Sequence, residues 1–103
     1  MISDLDGEGL AAAMVEDEAL FVDLWAPWCA PCRTLRPHLE RLSEDYSDRC
    51  RFVAVNVEEH EDVGHLFDVQ SVPTMLLLRS GETLHRFNGA AVPSSIAAQL
   101  DQL

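Results

Sequence analysis

Two cysteines stand three residues apart in Trp28-Cys29-Ala30-Pro31-Cys32, just after the apolar run Phe21-Val22-Asp23-Leu24-Trp25. Cysteines so close cannot tie distant segments together, so the pair points to redox or metal chemistry. The thiolate is the reactive form, and an ordinary thiol of pKa ~8.5 is only ~3% ionised at pH 7. Cys29 falls where a strand gives way to a helix, and the free amides and positive dipole end of a helix N-terminus stabilise an anion there. Cys32, one helical turn further on, can attack a mixed disulfide on Cys29 intramolecularly, at a high effective concentration. The metal alternative is a zinc half-site, which needs four ligands and usually a second pair. Only Cys50 remains, and His38 falls six residues after Cys32, off its helical face.

Asp23 is the third reactive candidate. Strand alternation puts Phe21, Asp23 and Trp25 on one face and Leu20, Val22 and Leu24 on the other. With both faces covered, the carboxyl sits in apolar surroundings and its pKa must rise. A carboxyl titrating near neutrality beneath Cys32 can accept that thiol's proton. The plainer reading puts Asp23 on an exposed face with an ordinary pKa. Cys50, between Arg49 and Arg51, is expected to be a small buried hydrophobe, the alternative being a thiol activated by the two guanidiniums. His38, His60, His65 and His85 are scattered without metal-like spacing, and no metal site is expected.

The elements that must position these groups follow from periodicity. Gly9 to Glu16 reads as a short Ala-rich helix, preceded at most by a strand stub within Met1 to Leu5. Ala19 to Trp25 is a strand covered on both faces except for Asp23, as in a parallel sheet. From Cys29 to Tyr46, Leu35, Leu39, Leu42 and Tyr46 mark one helix face, with Pro37 expected to kink it. Phe52 to Val57 is a second covered strand, and Val63, Leu66 and Phe67 suggest a short helix. Thr74 to Arg79 turns through Ser80-Gly81 into a strand from Thr83 to Asn88. Pro93 then opens a closing helix faced by Ile96, Leu100 and Leu103. Strand-helix-strand repetition forces parallel neighbours, and the hairpin adds an antiparallel pair. The expectation is one α/β domain over residues 1–103, a mixed sheet of four to five strands with helices on both faces.

Val22-Asp23-Leu24-Trp25 followed by Trp28-Cys29-Ala30-Pro31-Cys32 resembles the active-site strand and turn of the thioredoxin family. The resemblance continues through Pro37, Val72-Pro73-Thr74, Ser80-Gly81 and Gly89-Ala90, and covers about residues 19 to 103. It implies a thioredoxin fold and a protein-disulfide reductase. Cys29 would be the exposed nucleophile and Cys32 the shielded resolving thiol, the two forming the redox-active disulfide. Trp28 and Pro31 would frame the site. Pro73 would carry a cis bond facing the sulfurs, and Val72 would offer backbone hydrogen bonds to an extended substrate. Gly89, beside Ala90, would allow close backbone approach. Electrons would come from a thioredoxin reductase or a comparable donor and pass to disulfide-containing client proteins, with no bound cofactor.

Four departures bear on this pattern. Ala54 stands where many thioredoxins carry a lysine near the buried acid, which should push Asp23 up further. Ala30 replaces the usual glycine between the cysteines, Arg33 stands where lysine is common, and the short N-terminus puts the first strand in question. Pro31, where the oxidising branch often has histidine, argues for a reductant over a thiol oxidase or isomerase. A third reading, a scaffold or binding module with incidental redox chemistry, is left to a test of the cysteines, since fold alone does not decide function.

Length and charge bound the remainder. The chain has 103 residues, 48% of them hydrophobic, enough for one core. Eighteen acidic residues against seven basic ones give a net charge of −11. Such a surface repels phosphate backbones and anionic lipid, so neither nucleic acid nor membrane is an expected partner. No apolar stretch approaches the ~20 residues of a membrane span, and residues 1–8 do not read as a secretory signal. A cytoplasmic monomer is expected. Every basic residue is arginine, which fits a salty cytoplasm or a GC-rich genome.

Overall fold

The computed structural model describes residues 1–103. A five-stranded mixed sheet runs in the order β1-β3-β2-β4-β5. Its strands are β1 (Ser3–Asp4), β2 (Ala19–Trp25), β3 (Cys50–Asn56), β4 (Thr74–Arg79) and β5 (Glu82–Asn88). The helices are α1 (Gly7–Met14), α2 (Ala30–Asp45), α3 (Glu61–Leu66) and α4 (Pro93–Leu100). β1 and β2 both pair with β3 in parallel, whereas β4 pairs antiparallel with β2 and β5.

Each face of the sheet buries its own core. Leu35, Leu39 and Leu42 of α2 and Ile96 and Leu100 of α4 cover Phe21, Phe52, Ala54, Met75 and Leu77. On that face Phe21 and Phe52 stack with ring centroids 4.7 Å apart, a spacing suited to aromatic pairs. On the opposite face Leu10 and Ala13 of α1 and Val63 of α3 cover Leu20, Val22, Leu24, Val53 and Val55. The doubly apolar β2 is therefore the central strand, buried from Ala19 to Leu24.

Several boundaries differ from the sequence expectation, each for a local reason. α1 begins at Gly7 rather than Gly9 because the Asp6 carboxylate caps it, accepting the Gly9 amide at 2.7 Å. The first strand exists, though only two residues long, and makes the sheet five-stranded. β3 enters at Cys50 and stops at Asn56, whose side-chain oxygen accepts the amides of Glu58 and Glu59 at 3.0 and 3.3 Å and turns the chain. α3 turns Val63 inward, but Leu66 stands 69% exposed and is no part of the core. Ser80 and Gly81 both take positive φ, +51° and +80°, the conformation a tight two-residue hairpin turn requires.

Candidate active site

β2 delivers Asp23 to the buried face beneath α2, and the chain then turns through Ala26-Pro27-Trp28 into that helix. Cys29 is the N-cap of α2, in extended conformation, and its Sγ accepts the Cys32 amide at 3.2 Å. A sulfur there meets a free helix amide and the positive dipole end, both of which favour its ionised form. Pro31 occupies the first turn, where a missing N–H leaves no hydrogen bond unmade. Cys29 and Cys32 are joined as a disulfide, with Cα atoms 5.3 Å apart.

The structure does not give the two sulfurs the unequal exposure expected from sequence. Cys29 is 3% exposed and Cys32 4%, both covered by a small cluster of Ala26, Trp25 and Val72. Their asymmetry lies in what surrounds them. Cys29 holds the helix terminus, whereas Cys32 lines a cavity of about 100 Å³ with Asp23, Trp25, Arg33 and Arg36. That volume admits a few water molecules.

Asp23 is 2% exposed, and its Oδ1 has no hydrogen-bond partner. Burial pushes its pKa from 3.8 up to about 7, with the Arg36 guanidinium pulling down and the Asp4 carboxylate adding to the rise. Ala54, its in-register neighbour on β3, carries no charge. Arg33 is turned to the backbone, donating from Nη1 to the Pro27 carbonyl at 2.6 Å.

The residues expected to frame the site are divided among several surfaces. The Val72–Pro73 peptide bond is cis, and Val72 packs beside the sulfur pair. The Pro73 carbonyl accepts the Gly89 amide at 2.8 Å, tying the start of β4 to the end of β5. Gly89 has φ +87°, and a side chain there would meet open space. Its backbone conformation, rather than close approach within the chain, is what calls for glycine. Pro31 and Ala90 meet across an open groove of about 450 Å³, lined also by Ala30, Leu35, Val92 and Pro93. Trp28 is 68% exposed, and its indole N–H donates to the Glu58 carboxylate.

Two contributors were not read from the sequence. Glu58 lies in the acidic stretch Glu58-Glu59-His60-Glu61-Asp62, whose composition suggests only solvated surface, and Arg36 is one of seven arginines in the chain, three of them on α2. Cys50 is buried, its thiol pushed by burial up to about 12. The flanking guanidiniums do not activate it. Arg49 lies over the Tyr46 ring at 5.4 Å, and Arg51 reaches Glu16 at 3.9 Å.

A cysteine capping a helix, bonded to a second one turn on and backed by a buried carboxyl, gives a dithiol–disulfide redox centre on a thioredoxin fold. The sequence model of the thioredoxin family matches residues 5–102. Thioredoxin of Chlorobaculum thiosulfatiphilum is 35% identical over 86 residues, covering 84% of this chain and 80% of that protein. Thioredoxin C-2 of Corynebacterium nephridii is 33% identical over 102 residues, covering 99% and 94%. Oxidised mitochondrial thioredoxin 3 of Saccharomyces cerevisiae superposes with a TM-score of 0.89 at 28% identity, covering 99% of this chain and 95% of that one. Thioredoxin of Malassezia sympodialis, at 24% identity and a TM-score of 0.91, bears on the fold alone. The chain belongs to the thioredoxin family and is a thiol–disulfide oxidoreductase that reduces protein disulfides. No helix is long and apolar enough to cross a membrane.

Proposed function

We propose that reduction proceeds through Cys29 first and Cys32 second, with Asp23 as the proton acceptor. The Cys29 thiolate attacks one sulfur of a client disulfide, whose S–S bond breaks and releases a client thiolate. Cys32 then gives its thiol proton to the Asp23 carboxylate and attacks Cys29 Sγ. The mixed disulfide breaks, the second client thiolate leaves, and the Cys29–Cys32 bond forms. Two electrons pass from the dithiol to the client.

The observation that carries this order is the Cys29 sulfur at the α2 N-cap, 3.2 Å from the Cys32 amide, while Cys32 faces the carboxyl cavity. Only Cys29 has the environment of a stabilised thiolate. Only Cys32 has a base of suitable pKa beside it. Client segments dock along Trp28, Pro31, Val72, Pro73, Gly89 and Ala90, with the Val72 backbone pairing to an extended stretch. A thioredoxin reductase or comparable donor restores the dithiol. A cytoplasmic setting fits the unpaired Cys50 and a dithiol kept reduced. A monomer fits the self-repulsion of a chain of net charge −11.

Turnover in an insulin-reduction assay with a panel of reductases tests the reading. Wild type is expected to turn over with at least one donor, and Cys29→Ser and Cys32→Ser with none. Full biological activity retained by the Cys29→Ser/Cys32→Ser double variant, despite lost disulfide reduction, would instead mark a scaffold. Equilibration with glutathione is expected to give a potential near −270 mV, which is thioredoxin's own known value rather than one calculated from this site. A result near −120 mV, that of a strong oxidant, would reverse the direction of electron flow.

A further inference from the structure

The sheet lays Asp4, Ala54 and Asp23 side by side on β1, β3 and β2. In-register parallel neighbours point to the same face, so all three side chains look toward α2. Ala54 is fully buried and ends at its methyl group, leaving room between the two carboxylates. Arg36 reaches both sides of that space. Its Nη2 lies 3.4 Å from Asp4 Oδ2, and its side chain lines the Asp23 cavity. Glu40, one turn along α2, adds a carboxylate oxygen 4.0 Å from Arg36 Nε. Cys32 and Arg36 are four residues apart, neighbours on one helix face.

The charges around Asp23 can be taken element by element. β1 contributes Asp4, a carboxylate whose side chain is 59% exposed and therefore well screened. β3 and β4 contribute Ala54 and Met75, which carry no charge. α2 contributes Cys32, Arg33 and Arg36. The guanidinium of Arg33 is taken by the Pro27 carbonyl. Arg36 is thus the cation left to the cavity, with its side chain only 27% exposed.

We propose that Arg36 is a positioning residue for the redox reaction: held between Asp4 and Glu40, it is the counter-charge that lets a desolvated Asp23 carboxylate exist to take the Cys32 proton. An ionised carboxyl taken out of water is costly unless a counter-charge compensates it. Arginine suits the task because it stays charged and is weakly hydrated. Asp4 and Glu40 pair with the guanidinium on its solvent side, while its Nε is buried with no hydrogen-bond partner. Arg36 touches no reacting sulfur and acts only through Asp23. The inference rests on the reading of Asp23 as the acceptor, and the two can fail separately.

The test titrates the Asp23 side-chain carboxyl by ¹³C NMR in the oxidised full chain, where neither active-site thiol interferes. Alongside, the resolution of a preformed mixed disulfide is followed against pH. Arg36→Gln is expected to raise the Asp23 pKa by about one unit, whereas Arg36→Lys leaves it within a few tenths. The shift from about 7 to about 8 cuts the ionised fraction at pH 7 from about one half to about one tenth. Resolution by Arg36→Gln is therefore expected to slow about five-fold at pH 7 and to recover above pH 9. Arg36→Met, which keeps the apolar stem, replaces Arg36→Gln should the latter melt early. An unmoved Asp23 pKa in a folded, charge-free variant overturns the proposal, as does a moved pKa with an unmoved rate profile when Asp23→Asn is slow. Wild-type resolution by Asp23→Asn overturns the acceptor reading while leaving the Arg36 coupling to be judged by the titration.

Discussion

Asp23 and Cys32 line one cavity of about 100 Å³, and Asp23 Oδ1 is buried with no hydrogen-bond partner. This gives the acid a thermodynamic signature separate from its role in catalysis. Its pKa in the folded chain, about 7, lies above the ordinary 3.8. Between those values the native state holds a proton that the unfolded chain has lost, so stability falls as pH rises from about 4 to about 7 and then levels. Asp23→Asn removes that slope. Urea unfolding of the oxidised protein is expected to show little difference from wild type at pH 4. At pH 8 the variant is expected to gain up to about 4 kcal/mol, from about three units at 1.36 kcal/mol each. A difference constant with pH would mean the carboxyl is not desolvated.

Cys32→Ser is expected to separate attack from resolution. The variant keeps the Cys29 sulfur at the helix terminus but has no second thiol to displace the client. Resolution then depends on an external thiol, and the loss of intramolecular attack should slow it by at least about 10³-fold. Mass spectrometry after mixing with a disulfide client is expected to find a persistent mixed disulfide on Cys29 in Cys32→Ser and none in Cys29→Ser. Equal trapping on both would assign the nucleophile wrongly.

The parts of this arrangement that were readable from sequence are those set by local pattern. β2 and β4 keep the bounds their sequence predicts because both are apolar runs, broken in β2 only by Asp23, that end at turn or polar residues. The face occupied by Asp23 followed from strand alternation, and its raised pKa followed from the apolar residues on both sides. Arg36 was not readable, because its partner Asp4 is 32 residues away and meets it only once β1 pairs with β3. Glu58 was hidden for a similar reason, since Trp28 lies 30 residues before it. The equal burial of Cys29 and Cys32 depends on Val72, contributed by a loop far along the chain. Long-range placement, rather than residue type, decided each of these.

Cys50 is expected to be chemically silent in the folded protein. It is 3% exposed, and burial holds its thiol at about 12, so the thiolate fraction at pH 8 is about one in ten thousand. Iodoacetamide applied to the oxidised native chain at pH 8 should leave it unlabelled for hours, and label it within minutes in guanidinium chloride. Rapid native labelling would show that the start of β3 opens readily. Cys50→Ala, which removes only the buried sulfur, should leave disulfide reduction unchanged.

The acidic surface predicts a specific response to salt. Runs of exposed like charge occur at Glu16-Asp17-Glu18 and at Glu58-Glu59 with Glu61-Asp62. The seven arginines cannot neutralise eighteen carboxylates, and the ion pairs are confined to Arg36 with Asp4 and Glu40, Arg49 with Asp48, and Arg51 with Glu16. Those pairs are weak at an exposed surface, so adding salt removes more repulsion than attraction. Raising KCl from 0.1 to 1 M shortens the screening length from about 10 to about 3 Å, below the spacing of most like-charged neighbours. A relief of about 1 kcal/mol corresponds to a rise in Tm of roughly 4–8 °C for a domain of this size. The melting temperature is therefore expected to climb by several degrees. Replacing Glu58, Glu59 and Glu61 by glutamine should raise it at 0.1 M and flatten its dependence on salt. A Tm that stays level or falls in KCl would show that the acidic surface imposes no net repulsion on the fold.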